Sequence, residues 1–341
     1  MMNTFGEQLK LSIFGESHGN GIGMVIDGLP PGLAVDETFI AAEMARRAPG
    51  NSSLSTPRKE ADQVELLSGV FNGFTTGAPI CGMIRNTNTR SKDYTPELPR
   101  PGHADLTAHL KYNGFADYRG GGHFSGRLTA PLVFAGALCK SLLANNSISV
   151  EAAITAIGGV TGHGLTESME DVILKAKEEG DSVGGIIECV ASNLPAGLGS
   201  PFFGSVESRL ASMLYSIPAV KGVEFGDGFA LANMRGSEAN DAIIRSGPNY
   251  RTQTNHNGGI NGGITNGMDV VFRVAIKPTP SISKPQETVN LLTGESATLQ
   301  VHGRHDPCIV PRAVCVVEAA AAIVFADLLL CQWSDGVRKD R

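Results

Sequence analysis

One apolar stretch near the C-terminus constrains the fold of this chain more than any other feature. Ala313 to Cys331 is almost entirely apolar, but Glu318 and Asp327 interrupt it. Carboxylates are costly within a bilayer, so the stretch is a poor membrane span. It begins just after Pro311, a residue type that is favoured in the first turn of a helix. Helices that are apolar on all sides are buried, and we therefore predict a core helix here.

Length and composition allow such a helix to be buried in a folded protein. With 341 residues the chain fits two average domains or one large one, and it needs no disulfide or metal to hold its core. Hydrophobic residues make up 42% of the chain, a share that excludes disorder. A formal net charge of −6 argues against general nucleic-acid binding, but it leaves room for a small anionic ligand held by a few arginines.

The cysteines and the N-terminus give expectations about metals and location. The six cysteines form no C-x-x-C pair, and no second pair completes His305 and Cys308, so we predict no metal site. Most of them lie in apolar surroundings and are predicted to be buried free thiols. Residues 1–10 contain no apolar signal core. A reducing cytoplasm is therefore expected, with no membrane and no nucleic acid as partner.

Short apolar runs bounded by Gly, Pro or Asn alternate with helical patterns along the chain. The pattern predicts strands at 11–14, 23–26, 80–84, 185–190 and 270–276, and helices at 37–47, 130–144, 167–179 and 203–217. No repeat is evident, and the glycine loops are not spaced like βαβ units. An α+β or layered sandwich fold therefore remains as well supported as a doubly wound sheet.

Two histidines stand on constrained loops rather than on the periodic segments. His18 follows the first predicted strand between small residues, where nothing bulky covers it. His103 lies on a Pro-Gly turn beside Arg100 and Asp105. A histidine poised by a carboxylate is a candidate general acid near neutral pH, although either loop alone also fits a structural turn.

A triple-glycine turn, Gly120-Gly121-Gly122, precedes the helix predicted from residue 130. Free backbone N–H groups in such a turn can bind an anion, and Arg119 and Arg127 could add guanidinium donors. A flexible surface loop is the alternative. Together, two histidines, an acid and several arginines on glycine-framed loops favour an enzyme for a polyanionic substrate over a structural protein.

At these same residues the chain resembles the chorismate synthase family. The resemblance rests on Gly15-Glu16-Ser17-His18-Gly19, Arg100-Pro101-Gly102-His103-Ala104-Asp105, Asp117-Tyr118-Arg119-Gly120-Gly121-Gly122 and Gly303-Arg304-His305-Asp306-Pro307-Cys308. It extends over roughly residues 6–330, in order and with few gaps.

This resemblance implies a carbon–oxygen lyase of the shikimate pathway to aromatic amino acids. Family members convert 5-enolpyruvylshikimate 3-phosphate to chorismate by a 1,4-anti elimination of phosphate, the seventh step of that pathway. They require reduced FMN although the reaction has no net redox change. The resemblance also implies a single domain over residues 1–341, an α+β fold arranged as a β-α-β-α sandwich, and a cytoplasmic homotetramer.

The resemblance also assigns roles to individual residues. His18 corresponds to the histidine near the leaving phosphate, His103 to the one that protonates the reduced flavin, and Asp306 to the carboxylate that relays a proton from flavin N5. Arginines that hold the anionic groups of the substrate, or that lie near NADP, correspond to Arg46, Arg47 and Arg127. Contacts with FMN are implied for His123, Phe124, Ser125, Gly262, Lys277, Pro278, Thr279, Pro280, Ser281 and Arg304.

The chain departs from the family pattern at a few of these positions. His123 and Phe124 replace an Arg and a Ser of many members, and Ser53 replaces another arginine. These departures concern anion contacts, so a paralogue that binds flavin without performing the elimination remains an alternative. A binding protein without flavin is a second one. Whether the chain reduces its own flavin with NADPH or depends on an external flavin reductase is also left open.

Overall fold

The computed structural model describes residues 3–48, 50, 62–87, 94–301 and 305–334. The strands are β1 (Thr4–Phe5), β2 (Lys10–Gly15), β3 (Gly21–Asp27), β4 (Val64–Ser68), β5 (Val70–Phe71), β6 (Phe74–Thr75), β7 (Ile80–Arg85), β8 (Ser149–Ile157), β9 (Val160–Thr161), β10 (Gly185–Ser192), β11 (Val220–Phe225), β12 (Ile243–Ser246), β13 (Asn249–Thr252), β14 (Ile260–Asn261), β15 (Ile264–Thr265), β16 (Val270–Ile276), β17 (Gln286–Val289) and β18 (Ser296–Leu299). The helices are α1 (Glu37–Arg47), α2 (Asp105–Lys111), α3 (Thr129–Ala144), α4 (Glu167–Glu178), α5 (Val206–Ser216), α6 (Gly236–Ala239) and α7 (Val310–Ser334).

Two antiparallel five-stranded sheets form the framework. The first has the order β1-β2-β3-β7-β4, and the second has the order β11-β16-β10-β8-β9. In the first sheet Met24 lies opposite Ile13 on one side and Gly82 on the other. Antiparallel sheets combined with packed helices confirm the α+β class and rule out a doubly wound parallel sheet for the described residues.

Helices α3 and α7 join the two sheets. Helix α3 packs on the first sheet through β3 and β7, α7 packs on the second through β8 and β10, and the two helices pack on each other. Glycine allows a close approach at two of these contacts, the one between β7 and α3 and the one between α3 and α7. A Cβ on Gly82 would lie 2.3 Å from the ring of Phe134, and one on Gly136 would lie 2.2 Å from the Cβ of Ala319.

The predicted core helix is confirmed as α7, which extends beyond the apolar stretch at both ends. By length and composition, α7 and the helical stretch Arg119–Ala144 could each cross a membrane. Their most apolar windows are 89% and 83% buried within the protein, however, as in the core helices of soluble proteins. Cys139, Cys189, Cys308 and Cys315 are buried free thiols, whereas Cys81 and Cys331 are only partly buried.

Of the two charges in the core helix, Glu318 connects three other elements. Its carboxylate accepts two hydrogen bonds from Arg46 of α1, at 2.6 and 2.8 Å. It also accepts one from Lys140 of α3 at 2.5 Å and one from the backbone N–H of Ala152 in β8 at 3.1 Å. Burial alone would raise the pKa of Glu318, but Arg46 and Lys140 outweigh it and lower that pKa below the ordinary value.

The second charge, Asp327, connects the helix to the N-terminal segment. Its fully buried carboxylate accepts hydrogen bonds from the backbone N–H groups of Glu7, Gln8 and Leu9 at 2.8–2.9 Å. Arg209 of α5 forms an ion pair with the same carboxylate. These bonds fix the chain just before β2, the strand from which the first candidate loop emerges.

One predicted helix start was confirmed and another was wrong. Helix α1 begins at Glu37 as expected, because the Asp36 carboxylate accepts from the N–H groups of Thr38 and Phe39. The predicted start of α5 at residue 203 was wrong by three residues. Ser205 is the capping residue there, and Phe202–Gly204 form a separate 3₁₀ turn.

We expect Asp327→Asn to destabilise the protein by about 3 kcal/mol, because it removes the buried one of the two carboxylates, Asp327 and Glu7, that pair with Arg209. Urea and thermal unfolding measure the change. Glu178→Gln, which removes one negative charge from the exposed face of α4, serves as the control and should leave the midpoint almost unchanged. Equal unfolding midpoints of the two variants would contradict the anchoring role of Asp327.

Candidate active site

A cavity of about 680 Å³ lies where loops from the two sheets meet. Its size is that of pockets that hold small-molecule ligands. One wall is apolar and is formed by residues such as Ile217, Val220, Ile309 and Val316. The charged and aromatic lining consists of His18, Arg47, Tyr94, Arg100, His103, His123, Phe124, Arg127, Tyr215, Lys221, Lys277, His305, Asp306 and Arg312. Basic groups outnumber acidic ones in that lining, which suits a polyanionic ligand.

The triple-glycine turn lies against both predicted catalytic histidines. Gly120 and Gly121 have φ of +61° and +80°, in the left-handed region that glycine adopts most easily. A Cβ on Gly120 would lie 2.5 Å from Nε2 of His18, and one on Gly121 would lie 3.1 Å from Cε1 of His103. A Cβ at residue 120 would therefore overlap the His18 ring, and one at residue 121 would crowd the His103 ring.

Hydrogen bonds dock the same turn on the loop between β2 and β3. The N–H of Ser17 donates to the Gly122 carbonyl at 3.0 Å. The Nδ1 of His123 lies 2.7 Å from the Gly15 carbonyl, and because a carbonyl only accepts, Nδ1 carries the proton. The ring of Phe124 packs on Tyr112, with centroids 6.2 Å apart. His123 and Phe124, the two departures from the family pattern, thus contribute to packing around the turn.

A carboxylate fixes the orientation of His103. Its Nδ1 lies 2.6 Å from Oδ1 of Asp105 and 3.1 Å from Nη2 of Arg100. Since an ionised carboxylate only accepts, Nδ1 donates to Asp105 and cannot also accept from Arg100, which assigns the proton to Nδ1 and leaves Nε2 available. Burial would raise the pKa of Asp105, but hydrogen bonds from Arg100 and His103 lower it well below the ordinary value. Asp105 is therefore ionised at neutral pH.

Two of the predicted arginines meet at one buried carboxylate. Arg47 and Arg127 both line the cavity, and both bind Asp62, at 2.6 and 2.9 Å. The burial of Asp62 would raise its pKa, but the two guanidinium groups outweigh that effect and lower it. Asp62 was not predicted as a site residue, because no motif includes it.

The carboxylate of Asp306 lies at the start of α7. It pairs with Arg312, whose Nη1 is 2.5 Å from Oδ2. Nε of the same guanidinium donates to the Arg47 carbonyl at 2.8 Å, so this pair is tied to the end of α1. Burial lowers the pKa of Arg312, and Asp306 partly offsets that effect.

The segment after β16 forms another wall of the cavity. Lys277, Thr279, Pro280 and Ser281 line it. Lys277 donates to the Gly102 carbonyl at 2.5 Å, and Ser281 Oγ accepts from Arg100 at 3.1 Å, so the segment is docked on the turn that carries His103. Thr279 Oγ1 is buried and has no hydrogen-bond partner in the described structure.

Not every predicted residue reaches the cavity. Arg46 pairs with Glu318 and Glu43 instead, because adjacent residues on a helix point about 100° apart and Arg47 occupies the cavity side. Gly262 lies in the turn between β14 and β15, and Pro278 is exposed; neither belongs to the described lining. Arg304 and Ser53 lie outside the described residues.

Several lining residues were not predicted as site residues. Tyr94 contacts the His18 ring edge-on, with centroids 5.5 Å apart, and Arg100 lies over the Tyr94 ring. Lys221 reaches the cavity from the second sheet. Arg100 could have been suspected, because it stands within a matching motif, but nothing near Tyr94 or Lys221 marks them. Within the described residues no cluster of His, Cys, Asp or Glu could hold a metal ion.

We expect Gly120→Ala to displace His18, since its Cβ would overlap the ring. The resulting variant should lose most of the activity of the protein. Gly247→Ala is a matched control, because Gly247 has the same φ of +61° but nothing within 4 Å of an added Cβ. Comparing the turnover of the two variants separates the effect of the clash, which only Gly120→Ala has, from that of backbone strain, which both share. Similar losses in both would contradict the steric argument.

Comparison with known proteins assigns the family. The sequence profile of chorismate synthase matches residues 9–330. Chorismate synthase of Dehalococcoides mccartyi is 48% identical over 353 aligned residues and covers 97% of both chains. That of Chitinophaga pinensis is 50% identical over 333 residues, again with 97% of both chains, and that of Aeropyrum pernix is 50% identical with 96% and 93%.

The fold agrees with that assignment. A crystal structure of chorismate synthase superposes with a TM-score of 0.75 at 32% identity, covering 96% of this chain and 93% of the other. About half of the residues are identical over nearly the whole length of several relatives, so the match is neither partial nor local. The chain belongs to the chorismate synthase family.

Proposed function

We propose that this chain converts 5-enolpyruvylshikimate 3-phosphate to chorismate by 1,4-anti elimination of phosphate, with reduced FMN as cofactor. The observation that carries the proposal is the meeting of His18 and His103 at one glycine turn, in a cavity lined by basic groups. Membership of the family supports the reaction, and the cavity supplies groups of the kinds that the reaction needs.

The cationic lining fits a substrate with carboxylate and phosphate groups. Arg47 and Arg127 present guanidinium groups that suit planar, two-point binding of such anions. Because much of their surroundings is buried, these charges are screened less than they would be in water. We expect them to bind and orient the anionic substrate.

The residues present also fit FMN. The apolar wall around Ile217 and Val316 suits a flat ring system, while Lys277 and Arg100 could meet its phosphate. Thr279 Oγ1, buried without a partner, would gain one from a bound polar group. The flavin-contact residues implied by the resemblance supply four of the cavity's lining residues between 277 and 281. Reduced FMN, when bound, would supply electron density to the elimination without being consumed.

Three residues of the chain would stabilise developing charge or transfer protons during the reaction. A protonated His18 would stabilise the charge that develops on the departing phosphate. His103, held by Asp105 through Nδ1, would hold or release a proton at Nε2. Asp306 would take up a proton, and Arg312 fixes the orientation of its carboxylate.

The remaining family properties are part of the same proposal. We propose a single-domain β-α-β-α sandwich, supported by the helical layer that joins the two sheets and by α4, which packs on β8 and β9. We also propose a cytoplasmic homotetramer that binds neither nucleic acid nor membrane. FMN would be reduced either by NADPH at this chain or by an external flavin reductase.

An anaerobic assay tests the function. One tube contains the protein, the substrate and chemically reduced FMN, and a second contains oxidised FMN and NADPH instead. Chorismate in the first tube alone would indicate an external reductase, and chorismate in both would indicate a flavin reductase activity of this chain. FMN binding without chorismate in either tube would contradict the proposal and favour the paralogue alternative.

We expect His18→Ala and His103→Ala to lower kcat by about 100-fold or more, because each removes a proton-bearing group from the cavity. The KM for substrate should change much less. Steady-state kinetics with reduced FMN measure both constants, and His163→Ala, at an exposed histidine, is the control. Normal turnover in both site variants would refute their assignment.

A further inference from the structure

Asp62 is the buried carboxylate to which Arg47 and Arg127 both bind, and it belongs to none of the matching motifs. We propose that Asp62 is a positioning residue that holds these two guanidinium groups in one orientation at the cavity wall, so that they bind a single anionic ligand together. The inference rests on the proposed function in one respect, since it takes that ligand to be the substrate.

The geometry of the contacts favours a positioning role. Oδ2 of Asp62 accepts from both Nη2 and Nε of Arg47, at 2.6 and 3.1 Å, while Oδ1 accepts from Nη1 of Arg127 at 2.9 Å. Each oxygen therefore serves one arginine. The side chain of Asp62 is 0% exposed, so water does not compete for either oxygen.

Neutral acceptors fix the other edges of the same guanidinium groups. Arg127 donates through Nε to the Asn86 side chain at 2.6 Å, and Arg47 lies within hydrogen-bond distance of Thr129 Oγ1 at 3.3 Å. These acceptors orient each group but carry no charge. Asp62 is thus the anion that both arginines share, although the two come from α1 and from the turn before α3.

Charge gives a second reason. The side chains of Arg47 and Arg127 are 3% and 5% exposed, and two cations held so close in a buried place repel each other strongly. A carboxylate between them offsets part of that repulsion. Without it, the two guanidinium groups would separate or admit water.

The backbone at Asp62 supports the same conclusion. Its φ is +47°, in the left-handed region that non-glycine residues seldom adopt and that Asp tolerates better than most. Such conformations persist where the surroundings hold them, and they cluster at functional sites. Here the surroundings are the two arginines.

Glu318 provides a matched control within the same chain. It is also a buried carboxylate that bridges two cations, Arg46 and Lys140, but none of the three lines the cavity in the described structure. A purely structural role predicts similar behaviour for Asp62→Asn and Glu318→Gln. A positioning role predicts that only Asp62→Asn changes ligand binding.

The experiment compares wild type, Asp62→Asn and Glu318→Gln as full-length proteins. Steady-state kinetics with reduced FMN give kcat and KM, and calorimetric titration gives the Kd of inorganic phosphate as an anion probe. For Asp62→Asn we expect KM and the phosphate Kd to rise at least about tenfold, with kcat and the FMN Kd changed by less than about threefold. Glu318→Gln should lower the unfolding temperature and leave KM and the phosphate Kd near wild type.

Other results would overturn the inference. A folded Asp62→Asn variant with wild-type KM and phosphate Kd would do so, as would a wild type that binds no phosphate. If the wild type makes no chorismate, the proposed function fails, but the phosphate titration still decides the role of Asp62. If Asp62→Asn does not fold, Asp62→Glu takes its place. It keeps the charge but shifts the carboxylate by one methylene, so unchanged phosphate affinity in that variant would refute positioning.

Discussion

The structure depends on two carboxylates buried in its most apolar helix. Glu318 and Asp327 are the residues that interrupt the apolar stretch of α7, and each binds groups from several other elements. Burying a carboxylate is expensive unless its lone pairs are satisfied, so these contacts specify how α1, α3, α5 and the N-terminal segment meet the core helix. Helix α1 also carries Arg47, and α7 begins near Asp306.

Carboxylates that pair with other groups also organise the cavity. Asp62, Asp105 and Asp306 each bind a cationic group that lines the cavity. Each carboxylate restricts the side chain that it binds and offsets part of its charge. The site is therefore a set of oriented cations rather than a diffuse basic surface, which is consistent with a chain whose overall charge is −6.

Local signals in the sequence were sufficient to locate five helices, five of the strands and part of the site. The apolar run of α7, the Asp36 cap of α1 and the glycine turn at residues 120–122 are all contained within short segments. Sequence alone could not separate Arg46 from Arg47, because their difference is one of rotation about a helix that packs on distant elements. Asp62 was missed for a related reason: its partners lie 15 and 65 residues away along the chain.

The anchoring of Glu7–Leu9 by Asp327 also bears on how the protein is made. The Leu9 N–H and its acceptor are separated by 318 residues. During synthesis the N-terminal segment therefore emerges long before the carboxylate that satisfies its backbone exists. Until then the apolar side chains of Leu9 and Leu11, almost wholly covered in the folded protein, lack their final neighbours. The segment that leads into the first sheet therefore gains its last hydrogen bonds only when the final helix has been made, and exposed apolar groups in such an incomplete chain favour aggregation.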